Sequence, residues 1–480
     1  MQTRRALAFS FLDRYAGLVM AIVSSMVIAR LLTPAEIGVH SVTMVLVMFA
    51  MSLRDLGAGQ YLVKEKNLTP EQIGAIWTVL LGAGLLLGIV VALAAAPVSK
   101  FYAEPRIFDI MLVIALNFCI NPFGSMTYAW LIREMRFDKL AVMRFSSTFT
   151  GSCVSVWLAW RGWGPISLAL GTLIGTAVNA AVAIKFRPAH FSWRPSFRGL
   201  REVAGYGGQI SATSLIWNVA SGAPELLLGK IQGLAAAGLY SRGHGLAQMF
   251  SRLVIDAAQA VAMPAFAKHM RDHGSIEAPF LRGLAYATAL GWSFFLGLLM
   301  LAQPAIRVLY GDQWDDSVPV ARLLAIAMMI GLVDCLCPAV LMGTGHARRY
   351  LVVTAIVVPI YVGCVVAGSI FGLIGVGIGI VVAQFLMLPI WLMSVQSIVE
   401  FRWSALIRLL VSSGIVAVAA AAPALVLIIA FGLAPQSALL ILVASFLGGT
   451  ATFVVAARLV AHPIHEEVER LWLHVKARLL

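Results

Sequence analysis

Long apolar stretches recur along the whole chain, and each ends at a cluster of glycine, proline or charged residues. Each stretch has roughly 20 residues or more, which is enough for an α-helix to cross the hydrocarbon core of a bilayer. The pattern therefore predicts an all-α polytopic membrane protein with about fourteen spans. The predicted spans are approximately residues 6–32, 35–62, 71–96, 107–131, 139–160, 164–186, 204–229, 234–262, 281–302, 318–343, 350–370, 374–398, 407–431 and 436–458.

A short turn joins the first two spans, and its residues carry the signals of a helix start. Thr33 and Glu36 have the spacing of a capping box. Pro34 between them stands at the first helical position, where proline is favoured. Thr69 and Gln72 repeat the capping-box spacing before the third span. We therefore expect the second helix to begin at Pro34 and the third directly after Thr69.

The two halves of the chain share a pattern at a spacing of 200 residues. Six spans, a basic loop and six related spans predict two parallel six-helix bundles around a central cavity, which is an architecture of transporters. The last two spans lie outside the repeat. The matching residues are Arg30, Ala35, Gly38, Ser41 and Leu46 in the first half and Lys230, Ala235, Gly238, Ser241 and Leu246 in the second.

This repeat predicts the domain organisation. The predicted parts are an N-lobe at residues 1–186, a basic cytoplasmic linker at 187–203, a C-lobe at 204–399, spans thirteen and fourteen at 400–460, and a cytoplasmic tail at 461–480. The tail has apolar residues on one helical face and charged residues opposite, which predicts an amphipathic helix lying on the inner leaflet. Its apolar face consists of Ile464, Val468, Leu471, Trp472, Val475 and Leu479.

The composition supports the membrane class and explains the net charge. Only 12% of the residues are charged and 60% are hydrophobic, whereas a soluble domain has about 25% charged residues. With the N-terminus in the cytoplasm, 23 lysines and arginines fall on the cytoplasmic side and 5 on the other side. This bias predicts an even number of spans with both termini in the cytoplasm. It also accounts for most of the net charge of +13 without nucleic acid as a partner.

Two arginines lie well inside the first two spans. A charge at membrane depth costs roughly 2.5–3.5 kcal/mol on insertion scales, so it requires a partner, a cavity or a functional role. Arg14 and Arg54 lie about eight residues from the same membrane face, a depth of roughly 12 Å. Their neighbours Asp13 and Asp55 are displaced by about 100° around the helix and are poorly arranged to neutralise them. The pattern indicates a cationic site, with structural ion pairs or snorkelling side chains as the alternative.

The eighth span carries two further arginines. Arg242 lies eight residues into this span, and a cavity position and a structural one are both open for it. Arg252 and Asp256 stand at positions i and i+4, which favours a structural pair on one helix.

A polar stripe runs along the seventh span. Ser211, Ser214, Asn218, Ser221 and Glu225 follow one another at intervals of three and four residues, so they share one helical face. Small polar residues also mediate helix packing in bilayers. A stripe of five that ends in a carboxylate is more typical of a water-filled lumen, and we expect these residues to line the cavity.

The sequence shows no arrangement for catalysis or for a bound cofactor. It has no nucleophile–base set, no paired catalytic carboxylates and no cluster of metal ligands. We therefore expect no enzyme activity, no cofactor and no metal site. The five cysteines all lie in apolar stretches and are expected to be ordinary buried residues: Cys119, Cys153, Cys335, Cys337 and Cys364.

Several motifs resemble the Wzx-type polysaccharide transporters of the multidrug/oligosaccharidyl-lipid/polysaccharide (MOP) exporter superfamily. They are Arg14 in the first span, the turn Ala29-Arg-Leu-Leu-Thr-Pro-Ala-Glu-Ile-Gly38, Arg54-Asp-Leu-Gly57 and Arg133-Glu-Met-Arg-Phe137. The resemblance covers both six-span lobes, and the two extra spans occur in some members only. It implies a flippase of the bacterial inner membrane that moves undecaprenyl-pyrophosphate-linked oligosaccharide for exopolysaccharide, capsule or lipopolysaccharide. It also implies that cationic cavity residues on the first, second and eighth spans correspond to Arg14, Arg54 and either Arg242 or Arg252.

Arginine is suited to the pyrophosphate group of such a substrate, because its planar guanidinium binds two phosphate oxygens at once. The partners implied are the anionic lipid-linked oligosaccharide, membrane lipids and a polysaccharide polymerase or export complex. Two other classes stay open: a cation-coupled multidrug exporter, which would carry unpaired carboxylates in its cavity, and a non-transporting scaffold for polysaccharide assembly. The sequence leaves open the identity of the glycan, the coupling ion and the oligomeric state.

Overall fold

The computed structural model describes residues 2–54, 57–65, 68–189, 191, 193–432, 437–467 and 469–470. These residues form α-helices joined by short turns, and no β-strand occurs among them. The prediction of an all-α protein is therefore confirmed.

The helices are numbered in chain order. Their bounds are α1 (Gln2–Leu31), α2 (Pro34–Arg54), α3 (Ala58–Lys64), α4 (Pro70–Tyr102), α5 (Arg106–Ile120), α6 (Pro122–Arg133), α7 (Phe137–Trp160), α8 (Ile166–Phe186), α9 (Leu200–Ile231), α10 (Leu234–Phe250), α11 (Asp256–His273), α12 (Glu277–Leu309), α13 (Val318–Gly331), α14 (Cys337–Gly343), α15 (Ala347–Ser369), α16 (Gly372–Val399), α17 (Trp403–Phe431) and α18 (Ala438–Leu459).

Eight helices in the described ranges are long and apolar enough to cross a bilayer, or nine if the bent pair of α5 and α6 is one span. The layout with fourteen spans stays a prediction. Several predicted spans are interrupted helices. The fourth bends by 48° between α5 and α6, where Pro122 starts the second helix. The eighth contains a π-helical segment, Ser251–Ile255, and the tenth is broken between α13 and α14.

Both predicted capping boxes are present. The carboxylate of Glu36 accepts hydrogen bonds of 2.9 Å from the backbone N–H and from the hydroxyl of Thr33. Before α4, the backbone N–H of Gln72 donates to the Thr69 hydroxyl over 3.2 Å, and the Gln72 side chain accepts from the Thr69 backbone over 3.0 Å. These bonds satisfy backbone groups that a helix start leaves without partners, so α2 and α4 begin where the sequence predicts.

Contacts between helices divide the chain into two compact units, Met1–Gly238 and Leu239–Leu480. In the first unit, α7 packs along α8 and α1, α4 packs along α5, and α9 packs against α2 and α4. In the second unit, α12 packs against α17 and α13, α15 packs along α16, and α17 packs along α18. The division into two six-helix lobes, with a linker at residues 187–203, stays a prediction.

The predicted basic linker is folded onto the first unit. Phe191 is 4% exposed, and its ring contacts Trp130 of α6 at 5.0 Å. Trp193 packs against Trp77 of α4 at 4.8 Å between ring centroids. Arg187 donates a hydrogen bond of 2.7 Å to the Phe191 carbonyl, and its guanidinium lies 3.3 Å above the Trp193 ring. Apolar burial and cation–π contact thus hold this segment in place.

A buried polar chain joins the residues after α18 to the second unit. His462 is 1% exposed, and its Nε2 lies 3.1 Å from the hydroxyl oxygen of Ser413 in α17. That hydroxyl lies 2.9 Å from the hydroxyl of Thr288 in α12, which donates 2.7 Å to the Leu284 carbonyl. Ile464 packs beside this chain in an apolar cluster.

The predicted tail helix is described only in its first turns. Residues 464–467 and 469–470 are helical. Four predicted members of its apolar face, Leu471, Trp472, Val475 and Leu479, lie outside the described residues, as does Val468. The amphipathic tail therefore stays a prediction.

Candidate functional site

Arg14 and Arg54 lie on helices that begin and end at the same turn. Arg14 is in the middle of α1, and Arg54 is the last residue of α2. Counted from the turn, they stand about 17 and 20 residues along the two helices, which is roughly 25–30 Å at 1.5 Å per residue. Both helices are described at these positions, whereas the two side chains lie outside the described part of the chain.

Beyond the turn, the two helices belong to different packing groups. Helix α1 packs chiefly against α7, whereas α2 packs chiefly against α9, with α4 and α5 beside it. Arg14 and Arg54 therefore lie on helices that pack against different neighbours in the first unit.

Two glycines set how α9 lies against α2. A Cβ atom added at Gly222 would lie 2.2 Å from Cγ1 of Val45, and one added at Gly229 would lie 2.8 Å from Cγ2 of Val42. The contact moves from Val45 back to Val42 on α2 as it moves forward from Gly222 to Gly229 on α9, so the two helices are antiparallel. Extending this register at equal rise per residue brings Arg54 level with about residues 213–217 of α9.

The predicted polar stripe therefore passes the level of Arg54. Ser211 and Ser214 lie on the described helix α9, but their side chains are outside the described part. Ser221 is exposed, and Asn218 and Glu225 are partly exposed. By contrast, Ala220 on another face of α9 is buried, with 1% of its surface exposed. The described members of the stripe are thus more exposed than Ala220 on the same helix.

The stripe borders the contact with α2. At about 100° per residue, the line through Gly222 and Gly229 faces α2, and the stripe is centred roughly 60° around the helix from it. Backbone geometry in the first unit thus places Arg54 and the polar stripe at one level on neighbouring helices.

Arg242 has a different environment, in the second unit. Its guanidinium lies 5.4 Å from the ring centroid of Tyr310 and 5.6 Å from that of Trp314. Trp314 is fully buried and Tyr310 is 6% exposed. Gly243 lets α10 approach this turn closely, because an added Cβ would lie 3.3 Å from the Ser317 carbonyl oxygen. Arg242 therefore holds α10 against the turn between α12 and α13.

The same turn is closed by an ion pair. Nε and Nη2 of Arg307 donate to the two carboxylate oxygens of Asp315, with a shortest distance of 2.6 Å. A paired Arg–carboxylate contact of this kind fixes geometry as well as charge. The turn that receives Arg242 is thus a rigid one.

Arg252 and Asp256 lie at an irregular part of the eighth predicted span. Arg252 is in the π-helical segment Ser251–Ile255, and Asp256 begins α11. Their side chains lie outside the described residues, so the choice between Arg242 and Arg252 as a cavity residue stays open. A π-helical segment frequently marks a functional position in a helix.

One further cation, Arg144 in α7, escaped the sequence reasoning. Its guanidinium donates a hydrogen bond to the Tyr128 hydroxyl and lies 5.1 Å from the centre of that ring. Arg144 stands on the helix that packs against α1, and it is exposed. Its position five residues inside a predicted span was the signal that could have identified it.

Among the described residues, no three His, Cys, Asp or Glu side chains converge as a metal site would require. The five cysteines are all free thiols there, and Cys337 is buried. Cys153 is exposed and Cys119, Cys335 and Cys364 are partly exposed, so the expectation that all five are buried is wrong.

The chain is similar in sequence to several known proteins. Residues 27–319 match the family described as "Polysaccharide biosynthesis protein". The chain is 23% identical over 386 residues to the lipopolysaccharide biosynthesis protein WzxC of Escherichia coli K12, covering 76% of this chain and 75% of that one. It is 25% identical over 327 residues to the succinoglycan biosynthesis transport protein ExoT of Rhizobium meliloti, covering 67% and 65%.

Two solved structures share the fold. The lipid II flippase MurJ in an inward closed conformation has a TM-score of 0.78 at 12% identity, over 95% of this chain and all of that one. An inward-facing multidrug resistance transporter of the MATE family, a member of the MOP superfamily, has a TM-score of 0.64 at 15% identity, over 80% and 96%.

Proposed function

Because the chain belongs to the family of polysaccharide biosynthesis proteins, we propose that it is a flippase for undecaprenyl-pyrophosphate-linked oligosaccharide repeat units. The substrate is loaded at the cytoplasmic face of the inner membrane and released in the outer leaflet by alternating access. Its glycan then enters exopolysaccharide, capsule or lipopolysaccharide.

The family match confirms the resemblance to Wzx-type transporters that the Ala29–Gly38 turn predicts. The named relatives support the proposed function. WzxC is named for lipopolysaccharide biosynthesis and ExoT for succinoglycan transport. The MurJ likeness supports a fold suited to moving lipid-linked sugars.

The observation that best supports the proposed site is the register of α2 and α9, which, when extended, brings Arg54 level with the part of the polar stripe near Ser214. A lipid pyrophosphate presents anionic oxygens to the protein while its sugar needs water. An arginine beside a polar, uncovered helix face offers both, because the guanidinium binds phosphate oxygens in pairs and serine and asparagine bind sugar hydroxyls. We assign Arg54 and Arg14 to the pyrophosphate, and Ser211, Ser214, Asn218, Ser221 and Glu225 to the lumen.

The membrane arrangement belongs to the same proposal. It has fourteen spans with both termini in the cytoplasm, six-helix lobes at residues 1–186 and 204–399, and two extra spans. The basic excess on the predicted cytoplasmic side supports this orientation. A polymerase or export complex would receive the flipped repeat unit.

A multidrug exporter is the second candidate, and the fold likeness to a MATE transporter favours it. Such an exporter binds organic cations and needs an anionic cavity. The lumen residues proposed here include Arg14 and Arg54, with Glu225 as the one carboxylate. Efflux of a cationic dye by the purified protein in liposomes, without binding of a lipid pyrophosphate, would favour the exporter over the flippase.

The test measures binding of farnesyl pyrophosphate to the purified protein in nanodiscs. Loss of a charge-assisted hydrogen bond costs about 1.5–3 kcal/mol, so Arg54→Ala should weaken binding roughly ten- to a hundredfold. Arg54→Lys should recover part of the affinity, because it keeps the charge and loses the planar fork. Arg14→Ala should act in the same way.

Arg402→Ala is the matched control, since Arg402 is an exposed arginine directly before α17. It should bind as the unaltered protein does. Equal affinity of a well-folded Arg54→Ala and Arg14→Ala double variant would contradict the proposed site. The same variants should stop glycan export in cells while the protein still accumulates in the membrane.

Thiol labelling tests the lumen. In a protein without the five native cysteines, cysteines at Asn218 and Ser221 should react with a small water-soluble reagent. Cysteines at Ala220 and at the buried Leu228 should not. Equal reaction at all four positions, or at none, would remove the stripe from the proposed lumen.

A further inference from the structure

The tenth predicted span is interrupted in the middle of its sequence. Helix α13 ends at Gly331 and α14 begins at Cys337, so residues 332–336 form turns between two short helices. The backbone N–H of Cys337 donates 2.9 Å to the Asp334 carbonyl, and α14 restarts with Pro338 in its first turn. Within a bilayer, non-helical backbone is tolerated where protein or a water-filled cavity surrounds it.

The break is held by a side chain from α11. Nε2 of Gln259 donates a hydrogen bond of 3.0 Å to the Cys335 carbonyl oxygen. Gly343 at the end of α14 also lies close to α11, since an added Cβ would be 2.7 Å from the Met263 carbonyl oxygen. The Cys335 carbonyl oxygen at the interruption therefore has a hydrogen-bond partner on α11, and α14 packs closely against the same helix.

Asp334 places a carboxyl group inside this break. Its Oδ2 atom is buried and makes no hydrogen bond with the described groups of the protein. The residue as a whole keeps part of its surface accessible. An ionised carboxylate oxygen in that position lacks the donors that it needs, whereas a protonated carboxyl supplies its own donor and loses the charge.

The neighbouring helices offer little compensating charge. Helix α16 has no charged residue, and its polar side chain near the break is Gln384, beside Gly331. On α13, Arg322 is engaged with the Leu299 carbonyl at 3.0 Å. On α15, Arg349 donates 2.7 Å to the Ser397 hydroxyl.

Helix α12, which packs against α13, carries its charged residues Glu277, Arg282 and Arg307 near its ends. Further titratable groups lie on the break itself and on the helix that packs against α14. The thiols of Cys335 and Cys337 flank Asp334, and Cys337 is buried. Asp256 and Arg252 stand one and two turns before Gln259 on the packed element. No cluster of three metal-binding side chains occurs here among the described residues.

We propose that Asp334 is a proton-binding site in the interrupted tenth span. The carboxylate takes up one proton to become a neutral carboxyl in the arrangement described here, and it returns that proton when movement of α13 or α14 admits water. A break between short helices is suited to this movement, because the backbone already turns there. Use of the proton to drive transport rests on the proposed flippase function, whereas proton binding does not.

Infrared spectroscopy of the purified full-length protein in nanodiscs tests the site directly. The unaltered protein should show a protonated-carboxyl C=O band at neutral pH that shifts in heavy water and fades as the pH rises. Asp334→Asn should remove this band. Asp334→Glu should retain a titrating band at a shifted frequency, which controls for loss of folding in the asparagine variant.

Asp316→Asn is the matched control, because Asp316 is an exposed carboxylate in the turn before α13. It should leave the band unchanged. An identical band in the Asp334→Asn protein would overturn the proposal, and so would a band that responds to sodium ion at constant pH and not to protons. A protein that fails to bind farnesyl pyrophosphate yet shows the band refutes the flippase and leaves the proton site standing.

Discussion

Gly38 and Gly238 lie against each other where α2 crosses the start of α10. A Cβ atom added at Gly38 would lie 1.7 Å from the carbonyl oxygen of Leu234 and 3.1 Å from the Gly238 nitrogen. One added at Gly238 would lie 2.0 Å from the carbonyl oxygen of Pro34 and 2.9 Å from the Gly38 nitrogen. The contact is reciprocal, and the two glycines are matching positions of the 200-residue repeat.

Gly38→Ala should separate these two helix starts and lower the melting temperature of the protein in detergent. Forcing a methyl group against backbone atoms costs about 1–3 kcal/mol. Gly245→Ala on α10 is the matched control, because an added Cβ there meets no atom within 4 Å. Equal melting temperatures for both variants would contradict the close crossing.

The segment after α8 should detach when its anchor on α4 is removed. The Thr78 hydroxyl accepts 2.9 Å from the backbone N–H of Ser196 and lies 3.1 Å from the Ser196 carbonyl oxygen. Thr78→Val removes both contacts and preserves the shape of the side chain. Trypsin should then cut faster after Arg194 and Arg198, which limited proteolysis with mass spectrometry measures.

Thr172→Val is the control for this experiment. The Thr172 hydroxyl bonds to the Leu168 carbonyl within its own helix, at 2.9 Å, and lies on an exposed face. Its loss should leave the cleavage rate unchanged. A Thr78→Val protein cleaved at the rate of the unaltered protein would show that the aromatic contacts alone hold the segment.

Acid should destabilise the second unit through His462. Burial lowers the pKa of His462 below its usual value of about 6.5. Its Nδ1 accepts a hydrogen bond of 3.2 Å from the Ile464 N–H, which protonation would break. The unfolded chain binds the proton more readily, so stability is complete above about pH 6.5 and falls as the pH drops towards the lowered pKa.

Thermal unfolding of the protein in detergent at a series of pH values measures this effect. His462→Asn should start from a lower melting temperature and lack this part of the decline. His346→Asn, at an exposed histidine, should retain the decline. A decline of the same size in the His462→Asn protein would assign the acid sensitivity to other groups.

Local sequence signals predicted the helix starts. The capping boxes at Thr33 and Thr69 depend on residues three positions apart, so the chain alone carries that information. Gly38 and Gly238 were visible in the sequence as matching positions of the repeat, whereas their contact is a finding of the structure. The long apolar stretches were sufficient to predict the all-α membrane class.

The interruptions could not be predicted from the same pattern. Residues 318–343 form a largely apolar stretch that contains Arg322 and Asp334. Gln259, whose side chain bonds to the backbone at the break, is 75 residues away from Asp334 in the chain. The docking of the linker escaped prediction for a related reason. Trp193 and Phe191 pack on α4 and α6, while the sequence showed the segment chiefly as a basic loop. Contacts between distant residues decide both cases.

Variants at Arg242 distinguish a structural role of this residue from a role in substrate binding. A desolvated cation–π contact contributes about 2 kcal/mol or more, and Arg242 lies within 6 Å of the ring centroids of both Tyr310 and Trp314. Arg242→Ala should therefore lower the melting temperature in detergent by several degrees, since 1 kcal/mol corresponds to about 2–4 °C or less for larger domains. The melting temperature of Arg242→Lys should fall by less. That of Arg408→Ala, at an exposed arginine that bonds within its own helix, should hardly change.

If Arg242 instead holds the pyrophosphate, its alanine variant melts normally and loses affinity for farnesyl pyrophosphate. The cavity position on the eighth span then belongs to Arg242 and not to Arg252.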